Sequence, residues 1–589
     1  MCGVLVILSK KKPLNKKKCN LGFNAIKNRG PDFSLSKYFL NNKLFIGNTI
    51  LQVTGKVDKK KLSTCEDKRF YISFNGEIYN YENLKKLNKF SISASNDTSK
   101  VIKLHKYNSP INILKSIEGM FAYAVYDNQN NKIYYATDPQ GEKKLFSYED
   151  KNYFILSSNI HAILKFFNIN FKINKQQIFD YINSRHFITD NDTFYKKIKL
   201  LDGAFLYTKN LTTYKSKKQN FDNPLNWINE KYYRKLKSNK DIQNLNLLDN
   251  LFKKYSKLLK PNINFASIFT GGVDSSLQAS YFFKEKKIKK LICVDHIKKD
   301  MITNKIARFK EYTRKNITKI LCDEKKYYSK LSEVYKRLYL PFPSHDVVGH
   351  HLVYNFFKSK KIKVSFGASG ADELFGGYEA YKNINWGCNR IKNLSPYSNF
   401  KTKKSNKESK ISKASNLLWK KAFNKYSKFL NNTEAKMQAS LFTDYFIQGI
   451  RRDNIVTDII SMSHGVEVRN VFLNKNIIKF CLNLPIKYKI NLNEKNEIMV
   501  CKPLLKKLFI RKFSKNLLLK KQGFSGFPNE SIKYASKKNK KEFSNISKLI
   551  FKKSQFTNFR ANEWKFLNLF YFSKFLRRKI NIRNFIKNI

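Results

Sequence analysis

The sequence predicts an α/β protein of two domains, a sheet-rich domain followed by one in which strands and helices alternate. The chain has 589 residues, of which 42% are hydrophobic and 15% aromatic. A chain of this length is expected to form more than one hydrophobic core, and its hydrophobic content is too high for global disorder. Short apolar runs bounded by polar turn residues dominate the first 200 residues. From about residue 246, helix and strand patterns follow one another, which is typical of a parallel sheet covered by helices.

The strand predictions rest on β-branched and aromatic runs that polar residues interrupt. In the first domain these runs are 4–8, 70–74, 120–127 and 132–138. In the second domain a helical pattern and three strand patterns follow in order, at 247–259, 265–269, 291–295 and 362–366. The first domain has no regular strand–helix alternation, whereas the second has, so the two sheets are expected to differ in kind.

The domain boundary is predicted from a change in composition. Residues 211–245 are polar and show no hydrophobic periodicity. We therefore interpret them as a linker between a domain at 1–210 and a domain at 246–589. Beyond residue 412 the second domain is mostly helical in pattern and strongly basic.

The positive charge of the chain has two interpretations. A formal net charge of +71, from 115 Lys and Arg against 44 Asp and Glu, is an imbalance that attracts nucleic acid or anionic membranes. The lysines are spread through nearly every segment, however, and the residues that A/T-rich codons encode are all abundant. Codon bias is favoured over a specific nucleic-acid surface, and nonspecific binding to polyanions at low salt is expected.

Cysteine usage and hydropathy predict a cytoplasmic protein. The eight cysteines are scattered and form no CxxC pair, which favours reduced thiols over a disulfide framework. The apolar run after Met1 is too short for the core of a signal peptide, and no stretch approaches the ~20 apolar residues that cross a bilayer. No membrane partner is expected, and the oligomeric state, a homodimer included, stays open.

Cys2 directly follows the first methionine. Removal of Met1 would give Cys2 both a thiol and a free α-amino group, whose pKa near ~8 suits a general base beside its own nucleophile. Taken alone, a cysteine at this position is more often incidental. Four motifs that follow in order change that interpretation: Asn28-Arg29-Gly30-Pro31-Asp32, Asn75-Gly76-Glu77-Ile78-Tyr79-Asn80, Asp97-Thr98 and Gly119-Met120-Phe121-Ala122.

These motifs supply the groups that glutamine hydrolysis through a thioester requires. A side-chain amide and a glycine N–H can stabilise an oxyanion, while an amino acid needs an anion for its ammonium and a cation for its carboxylate. Together the motifs resemble the N-terminal-nucleophile (Ntn) glutaminase domain of class II amidotransferases, most of all that of asparagine synthetase B. The resemblance implies an αββα sandwich, and it implies these roles: nucleophile Cys2, oxyanion hole Asn75 and Gly76, α-ammonium ligands Glu77 and Asp97, and a structural role for Arg29.

One position of this domain departs from the family. The family has a GHxRLSI segment whose arginine grips the glutamine carboxylate. Ile50 takes that place here, within residues 47–53. Loss of such a charge-assisted contact costs about 2–4 kcal/mol. Either glutamine binds weakly, or another basic residue replaces the arginine.

The segment 265–276, FASIFTGGVDSS, reads as a strand, a glycine turn and a helix start. Glycines let backbone N–H groups approach phosphate, and a helix N-terminus favours an anion. The segment resembles SGGxDSS, the PP-loop of ATP pyrophosphatases, and differs from a Walker loop. The resemblance implies a doubly wound parallel sheet and adenylation that releases pyrophosphate. The ATP-binding residues that it implies are Ile268, Thr270, Gly271, Gly272, Asp274, Ser275, Ser276, Val294, Gly367 and Lys502.

Residues 370–378, GADELFGGY, resemble the asparagine synthetase motif GxDELFGGY. Asp274 and Asp372 are then expected at two strand ends of one sheet, where they would hold Mg²⁺ on the triphosphate. The alternative is that both aspartates are helix N-caps.

Further family motifs follow. Residues 461–473 resemble SMxxxxEVRxPFLD, in which Glu467 and Arg469 are predicted to form a structural ion pair near the nucleotide. Lys502, in KPLLK, matches the lysine of KxxLR and is expected to stabilise phosphate charge. Gln522-Gly523-Phe524 matches the closing KxGF.

Two departures concern the acid that is activated. Ser369 replaces an acidic residue that, in the family, takes part in the chemistry at the activated acid, and residues 338–344 match the aspartate-binding stretch only loosely. The sequence is therefore compatible with three functions. The first is glutamine-dependent synthesis of asparagine from aspartate and ATP; the second is the same chemistry on another carboxylate, such as a sugar uronic acid of a surface polysaccharide; the third is a non-catalytic homologue that binds nucleotide or polyanions.

Overall fold

The structure is a computed structural model that describes residues 2–60, 62–87, 94–168, 171–184, 191–296, 306–313, 316–342, 346–378, 381, 410–447, 453–493, 498–518, 568–569, 571–572 and 575–576. The strand runs predicted in both domains and the helix predicted at 247–259 are confirmed, whereas much of the helical pattern predicted beyond residue 412 lies outside the described residues. Among the described residues, no helix combines the length and apolar character needed to span a bilayer.

The N-terminal domain contains two antiparallel sheets. The strands are β1 (Cys2–Ser9), β2 (Phe33–Phe39), β3 (Leu44–Ile50), β4 (Phe70–Ile78), β5 (Gly119–Asp127), β6 (Lys132–Thr137), β7 (Phe146–Glu149), β8 (Tyr153–Ser157), β9 (Ile198–Leu200), β10 (Phe205–Asn210) and β11 (Ser216–Asn220). The helices are α1 (Lys16–Asn24), α2 (Asp97–Leu104), α3 (Pro110–Ser116), α4 (Ile160–Phe167) and α5 (Lys175–Ser184).

Four layers result from these elements. One sheet has the order β2-β3-β1-β8-β7-β9 and the other β11-β10-β6-β5-β4. Alternate residues of facing strands, such as Val4, Val6, Ala122 and Ala124, fill the space between the sheets. Helices α1 and α4 cover the outer face of the first sheet, and α2 and α3 cover that of the second. The predicted αββα sandwich is confirmed, and β1 is buried along its whole length because both of its faces are covered.

The C-terminal domain alternates helices and strands. Its elements are α6 (Glu230–Ser238), α7 (Asp241–Leu259), β12 (Phe265–Ile268), α8 (Val273–Ser280), β13 (Ile288–His296), α9 (Lys310–Thr313), β14 (Ile317–Cys322), α10 (Glu324–Leu338), α11 (Val347–Ser359), β15 (Val364–Gly367), α12 (Ala371–Phe375), α13 (Lys410–Tyr426), α14 (Asn432–Asp444), α15 (Asn454–Met462), β16 (Glu467–Asn470), α16 (Lys475–Asn483), β17 (Ile490–Leu492), β18 (Ile498–Cys501) and α17 (Pro503–Lys512).

The main sheet of this domain is parallel, with the order β14-β13-β12-β15-β16. Helices α10, α11 and α15 pack on one face, and α7, α8, α16 and α17 on the other. The doubly wound prediction is thus confirmed. In α7, buried Leu245, Leu248, Phe252, Tyr255 and Leu259 recur at helical spacing, which explains why this stretch forms a helix and which side faces the sheet.

The segment 211–245, which was predicted to be a linker, contains regular structure. Strand β11 pairs with β10 at the edge of the N-terminal domain, and α6 begins where the Asn229 side chain accepts the Tyr232 N–H. All five residues of β11 are exposed. An edge strand with polar residues on both faces shows no apolar alternation, so no sequence pattern predicted it.

The two domains share buried contacts. Tyr181 Oη donates to the Phe342 carbonyl over 2.6 Å, and Tyr195 Oη donates to the Tyr339 carbonyl over 2.9 Å. Lys363 Nζ lies 2.7 Å from Asp32 Oδ2 across the same boundary. The apolar cluster around α4 continues without a break into α10 and α11. Residues that lie far apart in the sequence are therefore held together at this interface.

Candidate functional site

Cys2 opens strand β1, opposite Ile50 of β3. Its backbone N–H donates to Asn75 Oδ1 over 3.0 Å, and the Leu51 N–H donates to its sulfur. Burial raises the pKa of the Cys2 thiol, and the opposing effects of the chain's N-terminal charge and of the Leu51 hydrogen bond are smaller. The protonated thiol is therefore the resting form, and it needs a base before it can attack.

Asn75, buried on β4, divides its amide between two roles. Oδ1 accepts the Cys2 N–H, whereas no described residue accepts a hydrogen bond from Nδ2. A buried donor without an acceptor, one hydrogen bond away from the nucleophile, is the group that an oxyanion hole requires. At the next residue, Gly76, φ is +151° and a Cβ would lie 2.0 Å from the Met120 carbonyl oxygen. The structure therefore requires glycine at this position and sets both predicted oxyanion residues on β4.

The predicted α-ammonium ligands Glu77 and Asp97 are both buried. Thr54 Oγ1 donates to Glu77 Oε1 over 2.6 Å. Asp97 accepts the backbone N–H groups of Ile78 and Thr98 over 3.0 and 2.7 Å. Burial raises the pKa of both carboxyls, that of Glu77 to about 8 with a further contribution from Asp97. A cation placed between them would favour their charged forms, as expected for an ammonium site.

The pKa of Glu77 gives a prediction for the pH dependence of glutamine binding. The predicted ammonium ligand is the carboxylate form of Glu77, and a raised pKa means that this form appears only as the pH rises toward about 8. The KM for glutamine is therefore expected to fall about tenfold between pH 6.5 and 8.5. Steady-state ammonia release across this range measures it, with Glu77→Gln as the comparison. A slope of the same size in the variant would assign the titration to another group.

Ile50 offers no charge and belongs to the apolar core between the sheets. A guanidinium reaches this region from the other domain, because Arg469 Nη2 lies 3.6 Å from Glu77 Oε2. Arg469 Nε also donates to Glu467 Oε1 over 2.5 Å, so the predicted ion pair is present. It lies beside Glu77 of the predicted glutamine site, whereas the sequence suggested a place near the nucleotide. The reason is that β16 is the edge strand at which the domains meet.

A second buried ion cluster joins the domains beside Cys2. Arg29 Nη2 donates to both carboxylate oxygens of Asp458 on α15, over 2.9 and 3.2 Å, and Lys143 Nζ lies 3.4 Å from the same carboxylate. Arg29 Nε reaches the Cys2 carbonyl oxygen over 3.4 Å. All three charged side chains are at most 3% exposed, so each depends on the others for compensation. Arg29 thereby ties the start of β1 to the second domain.

The predicted phosphate loop is the turn between β12 and α8. Gly271 has φ +67°, a left-handed conformation that glycine adopts without strain. Thr270 Oγ1 and Ser275 Oγ lie 3.0 Å apart, and the Thr270 N–H donates to Ser275 Oγ over 3.2 Å. Ser276 Oγ is buried, and no described residue is its hydrogen-bond partner. The hydroxyls shape the turn, and the N-terminal N–H groups of α8 face it, an arrangement that favours a phosphate.

Three other predicted nucleotide residues lie near the carboxyl ends of adjacent strands: Ile268 on β12, Val294 on β13 and Gly367 on β15. The order of the sheet reverses between β12 and β15, which is where open α/β sheets bind ligands. A Cβ on Gly367 would lie 2.9 Å from Asn470 Oδ1, so a larger residue at this strand end would press against the Asn470 side chain. The loop and these strand ends therefore meet at one edge of the sheet.

Lys502 connects the two carboxylates that the sequence assigned to a metal. Its Nζ lies 2.6 Å from Asp274 Oδ2 and 2.5 Å from Asp372 Oδ1. Burial lowers the pKa of Lys502, but the two carboxylates together outweigh it and raise the pKa above its ordinary range. The N-caps of α8 and α12 are Gly272 and Gly370, so the aspartates do not take the N-cap position. Two carboxylates around one cation are also a donor set that suits Mg²⁺ in company with phosphate oxygens.

Gly377 is a site residue whose role the sequence motif alone did not reveal. A Cβ at this position would lie 1.8 Å from Lys502 Cε and 2.1 Å from Asp372 Oδ1. Gly377→Ala is therefore expected to displace Lys502 and lower ATP-dependent pyrophosphate release about tenfold. Ammonia release from glutamine is expected to remain normal, and both rates are measured on one preparation. Unchanged pyrophosphate release would show that the position of Lys502 does not matter.

The acceptor side of the crevice is only partly described. The Ser369 N–H donates to Asn470 Oδ1 over 3.3 Å. Glu373 is buried and accepts a hydrogen bond from Tyr378 Oη over 2.6 Å. Burial, with Asp453 and Asp372 nearby, raises the pKa of Glu373 to about 7. The end of the segment 338–344 and the motif at 522–524 lie outside the described residues.

Comparison with known proteins adds to this geometry. Residues 1–221 match a glutamine amidotransferase domain, and residues 255–558 match asparagine synthase. A putative asparagine synthetase 2 (glutamine-hydrolysing) of Methanocaldococcus jannaschii is 28% identical over 420 residues, 65% of this chain and 76% of the relative. Asparagine synthetase 2 (glutamine-hydrolysing) of Bacillus subtilis is 24% identical over 408 residues, 64% of this chain but only 52% of the relative. With a match that spans just over half of its length, the chain belongs to the asparagine synthase family, and a glutamine amidotransferase domain precedes its asparagine synthase domain.

Proposed function

We propose that this protein makes asparagine by ATP-driven adenylation of aspartate, followed by amidation with ammonia released from glutamine, with AMP and pyrophosphate as the other products. The observation that carries the proposal is the pairing of two sites through one buried interface. The Cys2–Asn75 pair lies in the first domain, and the Lys502 cluster lies beside the phosphate loop of the second. The names of the relatives support the same chemistry.

In the glutaminase half, Cys2 Sγ attacks the glutamine amide carbon after its proton moves to the α-amino group freed by removal of Met1. The oxyanion that forms accepts a hydrogen bond from Asn75 Nδ2, which has no acceptor among the described residues. Collapse of this intermediate expels ammonia and leaves a thioester, and water then releases glutamate and restores the thiol. Glu77 and Asp97 hold the α-ammonium and so fix the amide against the sulfur.

In the synthetase half, the turn at Gly271 and Gly272 and the N-terminus of α8 receive the phosphates of ATP. A carboxylate oxygen of aspartate attacks the α-phosphorus, and pyrophosphate leaves. Mg²⁺ accompanies the triphosphate as part of the substrate, and Asp274 and Asp372 are the residues that would hold it. Lys502 then stabilises charge on the phosphate oxygens, and ammonia displaces AMP from the acyl carbon.

A second candidate keeps this chemistry but changes the acceptor. Ser369 bonds Asn470 through its backbone N–H, and its side chain cannot act as a base near neutral pH. The general base that accepts a proton from the attacking ammonia must then be supplied by another group. A bulkier carboxylate, such as a sugar uronic acid, is the alternative acceptor. The third candidate function is that of a non-catalytic protein that binds nucleotide or polyanions. An intact set of Cys2, Asn75, Asp274, Asp372 and Lys502 argues against loss of catalysis.

The test supplies ammonium directly and therefore examines the synthetase site without the glutaminase site. Purified protein receives Mg²⁺-ATP, aspartate and excess ammonium, and pyrophosphate and asparagine are measured, the latter by mass spectrometry. Asparagine formed in a one-to-one ratio with pyrophosphate is the expected result. Pyrophosphate formed only with a uronic acid would favour the second candidate. Bound ATP without any pyrophosphate release would favour the non-catalytic one.

A further inference from the structure

The glutamine site in the first domain has anions but needs a cation. Glu77 and Asp97 suit the α-ammonium, whereas the α-carboxylate needs a positive partner. Ile50 is apolar and buried between the sheets. Arg29 and Lys143, which lie nearby, both bind Asp458. We infer that Arg469 of the second domain binds the α-carboxylate of glutamine; this inference rests on the glutaminase function proposed above.

The hydrogen bonds of Arg469 leave one of its guanidinium nitrogens, Nη2, without an acceptor among the described residues. Its Nε donates to Glu467 Oε1 over 2.5 Å, and its Nη1 donates to the Leu259 carbonyl over 2.6 Å. These two bonds fix the plane of the guanidinium. Nη2 is buried and has no hydrogen-bond acceptor among the described residues, although it faces Glu77 Oε2 at 3.6 Å. A residue that is 2% exposed and still has an unsatisfied donor marks a place for an acceptor.

The spacing suits the two charged groups of an amino acid. The ammonium and the carboxylate of glutamine are attached to one carbon, so their nitrogen and oxygen atoms lie about 3 Å apart. Glu77 Oε2 and Arg469 Nη2 are 3.6 Å apart and present opposite charges side by side. Arg469 is also the cation that lowers the pKa of Glu77 against the larger effect of burial. Its charge therefore acts directly at the ammonium site.

A consequence for the architecture follows. The nucleophile, the oxyanion donor and the ammonium ligands come from the first domain, but the carboxylate ligand comes from β16 of the second. Glutamine recognition is therefore complete only when the domains are docked. Docking depends on contacts such as Arg29–Asp458, so hydrolysis of glutamine is coupled to the integrity of the interface.

The test compares L-glutamine with L-glutamine α-amide, in which the carboxylate is replaced by a neutral carboxamide. Ammonia release from the side-chain amide is measured by isotope-labelling that amide nitrogen, for the full chain and for Arg469→Gln. The unmodified protein is expected to prefer glutamine at least about 30-fold in kcat/KM. Arg469→Gln is expected to lose this preference, because its kcat/KM falls further for glutamine than for the α-amide, whose smaller loss reflects the weakened ammonium site at Glu77.

The control is Lys363→Gln, which removes another cation from the domain interface; its ammonium contacts Asp32 and the Gln52 carbonyl and forms no ion pair with Glu77 or Asp97. It is expected to keep the full preference. Arg469→Lys retains the charge and much of the length of the side chain, and it is expected to give an intermediate preference. It replaces Arg469→Gln in the test if Arg469→Gln does not fold. An unmodified protein that hydrolyses both compounds equally, or an Arg469 variant that keeps the preference, would overturn the inference. Absence of ammonia release from both compounds in the unmodified protein would instead reject the glutaminase function, and the inference with it.

Discussion

Cys2→Ala is expected to abolish glutamine-dependent product formation, by at least about 10³-fold, and to leave ammonium-dependent formation intact. The sulfur is the only atom at this position that can form the thioester, whereas the phosphate loop and Lys502 lie in the other domain. Removal of a buried thiol that accepts one N–H, from Leu51, is a small change to the core. Product formation with glutamine and with ammonium, measured in parallel on the same preparation, checks the prediction.

Cys19→Ala is the matched control. Cys19 is also buried, on α1 of the same domain, but it takes no part in the proposed chemistry. Its variant is expected to use both nitrogen sources normally. Loss of both activities in Cys2→Ala with an unchanged melting temperature would contradict the separation into two sites.

Lys502→Met is expected to reduce pyrophosphate release by about 10²-fold or more, with glutamine and with ammonium alike. The ammonium group of Lys502 neutralises two carboxylates that it contacts at 2.5 and 2.6 Å. Without it, Asp274 and Asp372 repel each other and the phosphates of ATP meet uncompensated negative charge. Ammonia release from glutamine is expected to continue, because Cys2 and Asn75 do not contact this cluster.

The control for this variant is Lys507→Met, on helix α17, whose N-cap residue is Lys502. Lys507 pairs with Asp241 at 2.6 Å, but both side chains are about half exposed. Such a surface pair contributes little, so the control variant is expected to retain its rate. If the two methionine variants lost activity equally, the effect would belong to helix α17 and not to the cluster.

Much of the fold followed from local pattern. The apolar runs that became β1, β4 and β5 are buried on both faces, and α7 presents a clear apolar stripe. The regular structure within 211–245 was not predicted, because β11 is an exposed edge strand and α6 buries only Tyr233 and Leu236. Strand β11 has no apolar alternation, and the apolar pattern of the short helix α6 is limited to this one i, i+3 pair.

The candidate site was predictable where one short motif holds the whole group. Asn75 and Gly76 are adjacent on β4, and Thr270 and Ser275 form one turn. The contact of Arg469 with Glu77 joins residues almost four hundred positions apart across the domain interface, and no local pattern contains it. Gly377 was visible only as part of a glycine pair, and its proximity to Lys502 depends on where α17 begins.

We propose that one chain moves the amide nitrogen of glutamine onto a carboxylate that ATP has activated. Protein incubated with Mg²⁺-ATP, aspartate and glutamine labelled with ¹⁵N at the amide tests it directly, with labelled product and pyrophosphate followed by mass spectrometry and phosphate analysis. We expect ¹⁵N in the new amide and one pyrophosphate for each labelled product molecule. Glutamate and labelled ammonium released into solution, with neither pyrophosphate nor labelled amide formed, would contradict it.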